Sequence, residues 1–600
     1  MDQEETSERR VVIIGAGPAG LSAAYELVKL DRSPIVIEKA DKVGGLARTE
    51  DYHGFQFDMG GHRFFTKVEA VNQTWREILG DKFLRRPRLS RIYYNRKFFD
   101  YPLKPLNALI GLGLWQSIFI VVSYVRWRIR PYPREDTFEQ WVTNRFGRRL
   151  FRTFFKSYTE KVWGIPCSEL KAEWAAQRIK DLSLKAVLLS MFVKPRNTIK
   201  TLIDQFDYPE RGPGMMWNAV QAEVEKRGGS IRLNTNVATV QRQEMRIDSV
   251  LVSNNGHKDV IRGTDFISSM PVTEFIKKLD PPPPAHVLQA AEKLKYRDFL
   301  TVCLIVNKAE LFSDNWIYVH DPDVKVGRIQ NFKNWSPHMV PDATKSSLGL
   351  EYFCTEGDDL WELSDAELIE LGKRELGSIG LVSPPDVEDG CVFRVPKAYP
   401  IYDSDYREYL DTVKTFVRGL ENYETIGRNG LHRYNNQDHA MVTGMLSVRN
   451  LLFGEKNDIW NVNTDQEYLE EIRDEVKVEP EVTLGAVTDA LAEVFAKLDG
   501  PAMGLSVGCM AGLLLFLATL TLASSGDAIL ARYFQLLGNY FPSYTVTIPG
   551  SFLGLAYGFA TGFVTGGCFA CLRNITVLLY TMLIQERADR ILLRHLLEYI

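Results

Sequence analysis

The hydrophobic pattern near the start of the chain combines short apolar runs with one amphipathic segment. Val11–Ile14 is a run of β-branched residues, which is typical of a buried strand in a parallel sheet. Residues 21–30 carry apolar positions at helical spacing, and a second apolar run, Ile35–Ile37, ends in Glu38. The pattern predicts a strand–helix–strand unit.

Strands and helices are mixed along the following four hundred residues. Residues 70–205 are rich in aromatic side chains, and their pattern predicts helices. Three short strands are predicted within 231–268, and residues 300–400 mix strands with loops. A glycine-rich loop that enters a helix is predicted over 427–446. The first strand–helix–strand unit and the 427–446 segment are expected to belong to one sheet domain.

Two long apolar runs follow a polar, acidic stretch at 456–498. Residues 500–526 and 533–572 carry no charged side chain, and about 20 apolar residues suffice to span a bilayer. We therefore predict membrane helices near 502–524 and 549–571. Glycine recurs at every fourth position in both, at Gly504, Gly508, Gly512, Gly550, Gly554, Gly558, Gly562 and Gly566. Such faces either pack against each other as a hairpin or drive homo-oligomerisation.

Residues 105–125 form a third uncharged segment, which is followed by Arg126-Trp127-Arg128. Its length and composition would allow a membrane crossing. A single crossing there would separate 11–60 from 427–446, which the predicted sheet domain needs on one side. The segment is therefore expected either to be buried in a substrate domain or to dip into the membrane surface beside its arginines.

The chain's first glycine motif has the residues that a dinucleotide site requires. Gly15 allows a tight turn after the first strand, Gly17 lets the backbone approach a pyrophosphate, and Gly20 lets helix and strand pack closely. The helix that follows offers its N-terminal N–H groups to the phosphates. Glu38 ends the second strand, where a carboxylate accepts hydrogen bonds from ribose hydroxyls, and Lys39 follows it.

A second glycine-rich crossing indicates which dinucleotide is bound. Gly44-Gly45-Leu46-Ala47 follows Glu38, and Gly60-Gly61 follows Phe57-Asp58. Nicotinamide enzymes do not need this second crossing, whereas large flavoproteins hold an extended FAD through it. On these motifs the chain resembles the FAD family of amine oxidases, protoporphyrinogen oxidases and UDP-galactopyranose mutases.

That resemblance leads us to predict an α/β fold built on a discontinuous Rossmann-like FAD-binding domain. The domain is expected to comprise residues 1–70, 206–300 and 401–455. An inserted α+β substrate domain would comprise a helical part, 71–205, and a substrate-binding sheet, 301–400. A linker at 456–498 and a C-terminal two-helix transmembrane hairpin with a basic tail, 499–600, complete the predicted organisation.

Within the family, the chain most resembles the UDP-galactopyranose mutases over roughly residues 10–450. The matching stretches are Gly60–Phe65, Tyr158–Gly164 with Arg178, Tyr208 with Gly212-Pro213-Gly214, Gly327-Arg328-Ile329 and Gly427–Tyr434. The resemblance implies catalytic roles for His62, Arg178, Arg328 and Tyr434. It implies that Trp163, Tyr208, Arg178, Arg328 and Tyr434 contact substrate. It implies that FAD is bound by Gly15, Gly17, Pro18, Ala19, Gly20, Glu38, Lys39, Gly45, Leu46, Ala47, Gly60, Gly61, His62, Val237, Gly427, Arg428 and Asn436.

The chemistry implied by the mutases uses reduced FAD as a nucleophile on the anomeric carbon of a sugar nucleotide. Arginine suits the departing diphosphate because its planar fork binds phosphate bidentately and keeps its charge. The sequence departs from the mutase pattern at Asn436, where the family has aspartate. A lipid-linked sugar phosphate would satisfy the same arginines and would also explain the predicted membrane hairpin. It is therefore a candidate substrate beside a nucleotide sugar.

A competing interpretation is an oxidase or desaturase of the amine-oxidase or protoporphyrinogen-oxidase type, acting on an apolar membrane substrate. A third is a flavin-bound scaffold protein without turnover. An oxidase requires a mostly apolar pocket, and a mutase requires arginines that converge beside the flavin.

Composition narrows the classes further. The net charge of −4 gives no basic field for nucleic acid. The nine histidines show no metal-ligand pairing, so no metal is expected.

The tail after 572 carries Arg573, Arg587, Arg590 and Arg594, whereas the 525–548 loop has one arginine and one aspartate. The positive-inside rule then places enzyme domain and tail on the cytoplasmic side of the inner membrane, with lipids as partners.

Overall fold

A computed structural model describes residues 9–101, 107, 111–172, 205–462, 498–525 and 528–597. The chain divides into two compact units, residues 1–472 and 473–600. The strands are β1 Val11–Ile14, β2 Ile35–Ile37, β3 Thr49–Tyr52, β4 Phe55–Asp58, β5 Phe83–Pro87, β6 Ser90–Tyr94, β7 Lys97–Asp100, β8 Gln205–Pro209, β9 Ser230–Arg232, β10 Asn236–Gln243, β11 Arg246–Asn254, β12 His257–Arg262, β13 Asp265–Ser268, β14 Leu279–Asp280, β15 Tyr296–Val306, β16 Trp316–Val319, β17 Arg328–Asn331, β18 Ser346–Cys354, β19 Val387–Pro400 and β20 Tyr423–Thr425. The α-helices of six or more residues are α1 Pro18–Lys29, α2 Glu69–Leu79, α3 Leu114–Ile129, α4 Phe138–Phe146, α5 Ser157–Trp163, α6 Gly214–Lys226, α7 Val272–Lys277, α8 Ala285–Lys293, α9 Asp365–Ile379, α10 Tyr406–Arg418, α11 Gln437–Phe453, α12 Gly500–Ser525, α13 Ala528–Gln535 and α14 Ile548–Leu597.

The first unit is organised around a five-stranded parallel sheet with the order β20–β13–β1–β2–β9. All four residues of β1 and of β13 are buried, as expected for strands covered on both faces. Helix α1 crosses close to α11, because Gly444 has no side chain. A Cβ there would lie 2.3 Å from the carbonyl oxygen of Ala19. Because all the pairings in this sheet are parallel, the carboxyl ends of its strands lie at one edge.

A second, seven-stranded sheet has the order β19–β15–β18–β17–β16–β6–β7. Its central strands β15 and β18 are almost wholly buried, and every pairing in it is antiparallel except β16 with β6. Strands β5, β6 and β7 lie in the 71–205 segment for which helices were expected. Aromatic and β-branched residues such as Tyr93 and Phe99 favour strands there and pack into the sheet's core.

The uncharged 105–125 segment is not buried as one of our two alternatives required. Residues 114–129 form α3, and much of its apolar surface faces outward: Trp115 is 73% exposed and Val122 is 59% exposed. Residues 102–106 and 108–110 lie outside the described part.

The second unit contains two helices long and apolar enough to cross a membrane, Gly500–Ser525 and Ile548–Asn574. They turn their glycine faces toward each other. A Cβ at Gly504, Gly508, Gly512, Gly558, Gly562 or Gly566 would lie 2.7–2.9 Å from a carbonyl oxygen of the facing helix. Of the two uses we considered for these faces, the structure has the hairpin; a homo-oligomer stays a prediction.

A buried lysine fastens α5 to the loop between β16 and β17. The Nζ of Lys161 donates to the backbone carbonyls of Val319, Asp321, Val324 and Val326 at 2.9–3.1 Å. An ammonium group has three N–H donors, so all of them are used. The loop held in this way leads directly into β17.

Replacing Lys161 with methionine keeps most of the buried side-chain volume but removes these donors. We expect the free energy of unfolding to fall by about 2–3 kcal/mol, since buried carbonyl groups lose their partners. Denaturant unfolding followed by tryptophan fluorescence measures the change. A loss below about 0.5 kcal/mol would mean that the loop is held by its other contacts.

Candidate active site

A cavity of about 720 Å³ opens at the carboxyl ends of the parallel strands in the first unit. Its walls include Ile14 and Ile37, which end β1 and β2, and Ser269, which follows β13. Ligands of α/β proteins bind at this edge of a parallel sheet. The opposite wall comes from the seven-stranded sheet, so the cavity lies between the two sheets.

The first glycine motif forms a cradle in this cavity. Gly15 has a φ of +99°, and a Cβ there would lie 2.2 Å from the Ser269 hydroxyl oxygen. A Cβ on Gly20 would lie 1.9 Å from the Gly15 carbonyl oxygen, so Gly20 serves helix packing and does not line the cavity. Gly17 and Gly45 face each other so closely that a Cβ on Gly45 would lie 3.1 Å from the Gly17 Cα. Bare backbone and the α1 N-terminus therefore border the cavity.

Glu38 is fixed at the next corner of the cavity. Its carboxylate accepts hydrogen bonds from the backbone N–H of Ala16 at 2.7 Å and of Ala40 at 3.0 Å. Each oxygen has a second lone pair, which remains available to a ribose hydroxyl. Lys39 and Val237 lie on the same wall.

The second glycine pair brings His62 against the middle of the cavity. The His62 Nε2 lies 2.9 Å from the Met59 carbonyl oxygen, which can only accept, so Nε2 carries the proton in the neutral ring. Burial is the main cause that lowers the pKa of His62 to about 4. The hydrogen bond with the Met59 carbonyl opposes this shift, and the positive charges of Arg428 and Arg328 contribute to it to a smaller extent. His62 is therefore neutral at physiological pH, and its Nδ1 is an acceptor.

Arg328 lies beside His62 in a buried ion pair with Glu351. The two residues are directly opposite each other in the β17–β18 register, and Arg328 donates through both Nε and Nη2 to the two carboxylate oxygens. The Gln330 amide donates to the same carboxylate at 2.9 Å. Glu351 is fully buried and holds the pKa of Arg328 well above its usual value, despite burial acting the other way. The guanidinium is thus permanently charged and fixed in orientation.

Arg428 occupies the facing wall between two tyrosines. It donates to the carbonyls of Asn435 and Ala398 at 2.7–3.0 Å, and its guanidinium lies 4.6 Å from the Tyr434 ring centroid and 5.5 Å from that of Tyr399. The two rings are nearly parallel, with centroids 5.7 Å apart and an interplanar angle of 9°. Burial raises the pKa of Tyr399 to about 12, so its hydroxyl remains a donor.

The N-terminus of α11 closes the cavity. Asn436 is the N-cap residue of this helix and lines the cavity together with Gln437. The positive end of a helix dipole favours negative charge. A ligand at this point would meet the positive end of α11. The mutase pattern has an aspartate at the position of Asn436.

Most of the residues selected from the sequence line this one cavity. They are Gly15, Gly17, Pro18, Ala19, Glu38, Lys39, Gly45, Leu46, Ala47, Gly60, Gly61, His62, Val237, Arg328, Gly427, Arg428, Tyr434 and Asn436. Their individual roles stay predictions. Arg178 lies outside the described residues.

Two predicted substrate contacts lie in the core instead of the cavity. Trp163 is 2% exposed and packs against Tyr399 and Tyr402 with centroid separations of 6.2 and 6.0 Å. Tyr208 is fully buried, and its hydroxyl donates to the Asp58 carboxylate, whose pKa burial raises to about 7. Neither ring lines the cavity.

Sequence reasoning missed Glu351, Gln330 and Tyr399. Glu351 is the single charged residue in the otherwise apolar and small-residue run Ser346–Cys354. A lone carboxylate in a wholly buried strand is a signal that could have been used, because buried carboxylates require a partner. Gln330 and Tyr399 carry no comparable local signal.

Three buried histidines should make the first unit sensitive to mild acid. Burial lowers the pKa of His62 and of His432 to about 4 and that of His320 to about 3, from about 6.5 in an unfolded chain. At pH values between the folded-state and the unfolded-state pKa of a histidine, the unfolded state binds more protons than the folded state. Stability therefore falls as the pH falls below about 6.5, by about 1.4 kcal/mol per pH unit for each histidine. Denaturant titrations at a series of pH values measure this slope.

A pair of variants isolates the effect. His320→Gln should reduce the slope by one proton, whereas His257→Gln, at an exposed position in β12, should leave it unchanged. Equal slopes in the two variants would contradict the assignment.

Known proteins support the same family by sequence and by fold. The family described as flavin containing amine oxidoreductase matches residues 18–432. The 15-cis-phytoene desaturase of Capsicum annuum is 23% identical over 398 residues, which covers 62% of this chain and 65% of the desaturase. The desaturase of Solanum lycopersicum is 23% identical over 290 residues, 45% of this chain and 48% of that relative. The chain thus spans about half to two thirds of the length of these relatives.

Two solved structures share the fold of the first unit. A reduced UDP-galactopyranose mutase superposes with a TM-score of 0.67 at 22% identity, over 76% of this chain and 98% of the mutase. A protein from Exiguobacterium sp. 255-15, assigned as a protoporphyrinogen oxidase, has a TM-score of 0.59 at 16% identity, over 75% and 100% of the two chains. Because the family match covers well over half of its length, the chain belongs to the flavin-containing amine oxidoreductases and is an FAD-dependent enzyme.

Proposed function

We propose that this protein is a membrane-anchored flavoenzyme that acts on a sugar joined to a phosphate or diphosphate, carried by a nucleotide or a lipid. The observation that carries the proposal is that Arg328 and Arg428, from different elements of the fold, line the same cavity beside His62 and Tyr434. Convergent guanidinium groups suit a phosphorylated substrate better than an apolar one.

The residues present fit FAD. The bare backbone at Gly17 and Gly45 leaves room for a pyrophosphate at the α1 N-terminus, and Glu38 offers lone pairs to a ribose. The discontinuous parallel sheet that carries these residues is the proposed FAD-binding domain. Reduced FAD supplies a nucleophilic nitrogen, or an electron pair, at the sugar's reacting carbon.

The two arginines would have different tasks. The charge of Arg328 is offset by Glu351, so Arg328 provides fixed N–H donors and little net field. Arg428 is held by neutral carbonyls, and no ion pair of Arg428 occurs within the described residues. Its positive charge therefore remains available to stabilise a departing phosphate. Tyr399, whose hydroxyl remains a donor, and Tyr434 would orient the same group.

His62 would position the cofactor as a neutral hydrogen-bonding group. It would not act as a proton donor in its charged form. Its pKa of about 4 keeps the imidazole neutral, with Nε2 engaged by the Met59 carbonyl. The free Nδ1 lone pair can accept from an N–H group at the cavity's centre. This fixes the hydrogen-bonding sense of the site across the physiological pH range.

The second unit would place the enzyme on its substrate's membrane. Helices Gly500–Ser525 and Ile548–Asn574 support membrane anchoring by length and composition. The arginines that follow the second helix support a cytoplasmic position for the tail and the enzyme domain. Lipids are accordingly proposed partners, and a lipid-linked sugar would be presented at the same surface.

Anaerobic rapid mixing of the detergent-solubilised full chain tests the proposal. The enzyme with reduced FAD is mixed with UDP-galactose or a polyprenyl-phosphate sugar, and sugar conversion and flavin absorbance are followed together. Conversion while the flavin stays reduced supports the proposal. Inert sugars together with rapid reoxidation by oxygen or a quinone would overturn it in favour of an oxidase or desaturase acting on an apolar substrate.

Arg328→Lys should separate cofactor binding from turnover. Lysine keeps the charge but cannot reproduce the fork that Glu351 holds. We expect kcat/KM for the sugar substrate to fall about 100-fold, as for the loss of one oriented donor, while FAD content stays unchanged. Arg91→Lys is the matched control: Arg91 makes the same forked contact with Asp314 in the same sheet but does not line the cavity. Equal losses in both variants would contradict a substrate role for Arg328.

Glu38→Ala should weaken FAD binding about 10- to 100-fold, because a charged acceptor is lost. Titration of the cofactor-depleted protein with FAD, followed by flavin fluorescence, measures the dissociation constant. Glu26→Ala, on the outer side of α1, should leave it unchanged. Unaltered affinity in the Glu38 variant would place the ribose elsewhere.

A further inference from the structure

Helix α3 presents a continuous apolar face to the outside of the first unit. Its exposed large apolar residues, with their exposed fractions, are Trp115 (73%), Ile118 (42%), Phe119 (50%), Val121 (39%), Val122 (59%), Val125 (49%) and Ile129 (73%). Positions 115, 118, 122, 125 and 129 follow helical spacing and form one stripe. Single exposed apolar residues are ordinary, whereas a contiguous stripe of this size marks an interaction surface.

The helix is held firmly in this position. A Cβ on Gly147 would lie 2.8 Å from the backbone of Tyr124, so α3 lies directly against the chain that follows α4. The Arg149 side chain donates to Gln116 at 2.8 Å, and its backbone N–H donates to the Ser123 hydroxyl at 3.1 Å. The apolar stripe is therefore a fixed surface of the first unit.

The charges around the stripe indicate what covers it. Leu114–Ile129 contains no acidic residue, and Arg126, Arg128 and Arg130 are exposed at its C-terminal end. A second copy of this chain that docked through the same helix would offer these arginines no acidic partner from that helix. An anionic lipid surface offers acyl chains to the stripe and phosphate groups to the arginines.

We propose that α3 lies in the interface of an anionic bilayer, with its apolar stripe among the acyl chains and its arginines at the headgroups. A helix of 16 residues is about 24 Å long, shorter than the roughly 30 Å hydrocarbon core, so α3 lies along the surface and does not span. This contact is separate from the two apolar helices of the second unit. It does not depend on the proposed substrate.

The test uses the full chain in liposomes that contain phosphatidylglycerol and nitroxide-labelled lipids. Nitroxide quenching of tryptophan fluorescence is measured for the wild type and for Trp115→Phe. The difference between the two gives the quenching of Trp115 itself. An interfacial helix inserts about 5–10 Å below the headgroups, so a nitroxide high on the acyl chain should quench this signal about twofold more than one near the chain end. Trp361→Phe, which alters a tryptophan outside α3, is the control and should give no quenching difference.

A second variant separates lipid contact from anchoring by the C-terminal helices. Val122→Asp with Val125→Asp should abolish the Trp115 quenching while FAD content and thermal unfolding stay unchanged, because both positions are exposed. An unquenched Trp115 in the wild type would overturn the proposal and leave a protein surface as the occupant. Neither measurement involves turnover, so failure here leaves the proposed function untouched, and the converse also holds.

Discussion

The arrangement of the site depends on one buried ion pair, that of Arg328 with Glu351. Removing either partner would leave a charge without compensation in the interior, which typically costs about 3–5 kcal/mol. The pair is possible only in the observed register of β17 and β18, since a shift by one residue would turn one side chain to the other face. The same register brings Gln330 onto the carboxylate and fixes the wall that His62 faces.

Because of this pair, the two arginines that line the cavity differ in their electrostatic surroundings. Arg328 is neutralised and rigid, whereas Arg428 is anchored through uncharged carbonyls and keeps its field. Both arginines line the cavity that the N-terminus of α11 closes, which gives an environment that attracts anions without an excess of buried charge. This division would allow an enzyme of overall negative charge to hold FAD and the proposed phosphorylated substrate in one cavity.

Local patterns in the sequence were sufficient for the elements that interact over short distances. Strands β1 and β2, the glycine cradle and the two C-terminal apolar helices follow from periodicity and residue type alone. Glu351 and Tyr399 could not be placed, because their function arises from strand pairing over long distances. Trp163 and Tyr208 matched motifs in a relative but are buried in packed positions here. For the segment that contains α3 the sequence left burial and a membrane-surface position open, and the structure leaves much of its apolar surface exposed.

The order of strands in the parallel sheet has a consequence for how the protein is made. Val11 in β1 pairs with Asp265 in β13, and Phe266 in β13 pairs with Tyr423 in β20. A ribosome adding about 5–20 residues per second would leave β1 without this neighbour for roughly 10–50 seconds. During that interval a strand of four apolar residues has an open edge, which invites pairing with other chains. The N-terminal part of the nascent chain would therefore need protection of this edge until β13 has been synthesised.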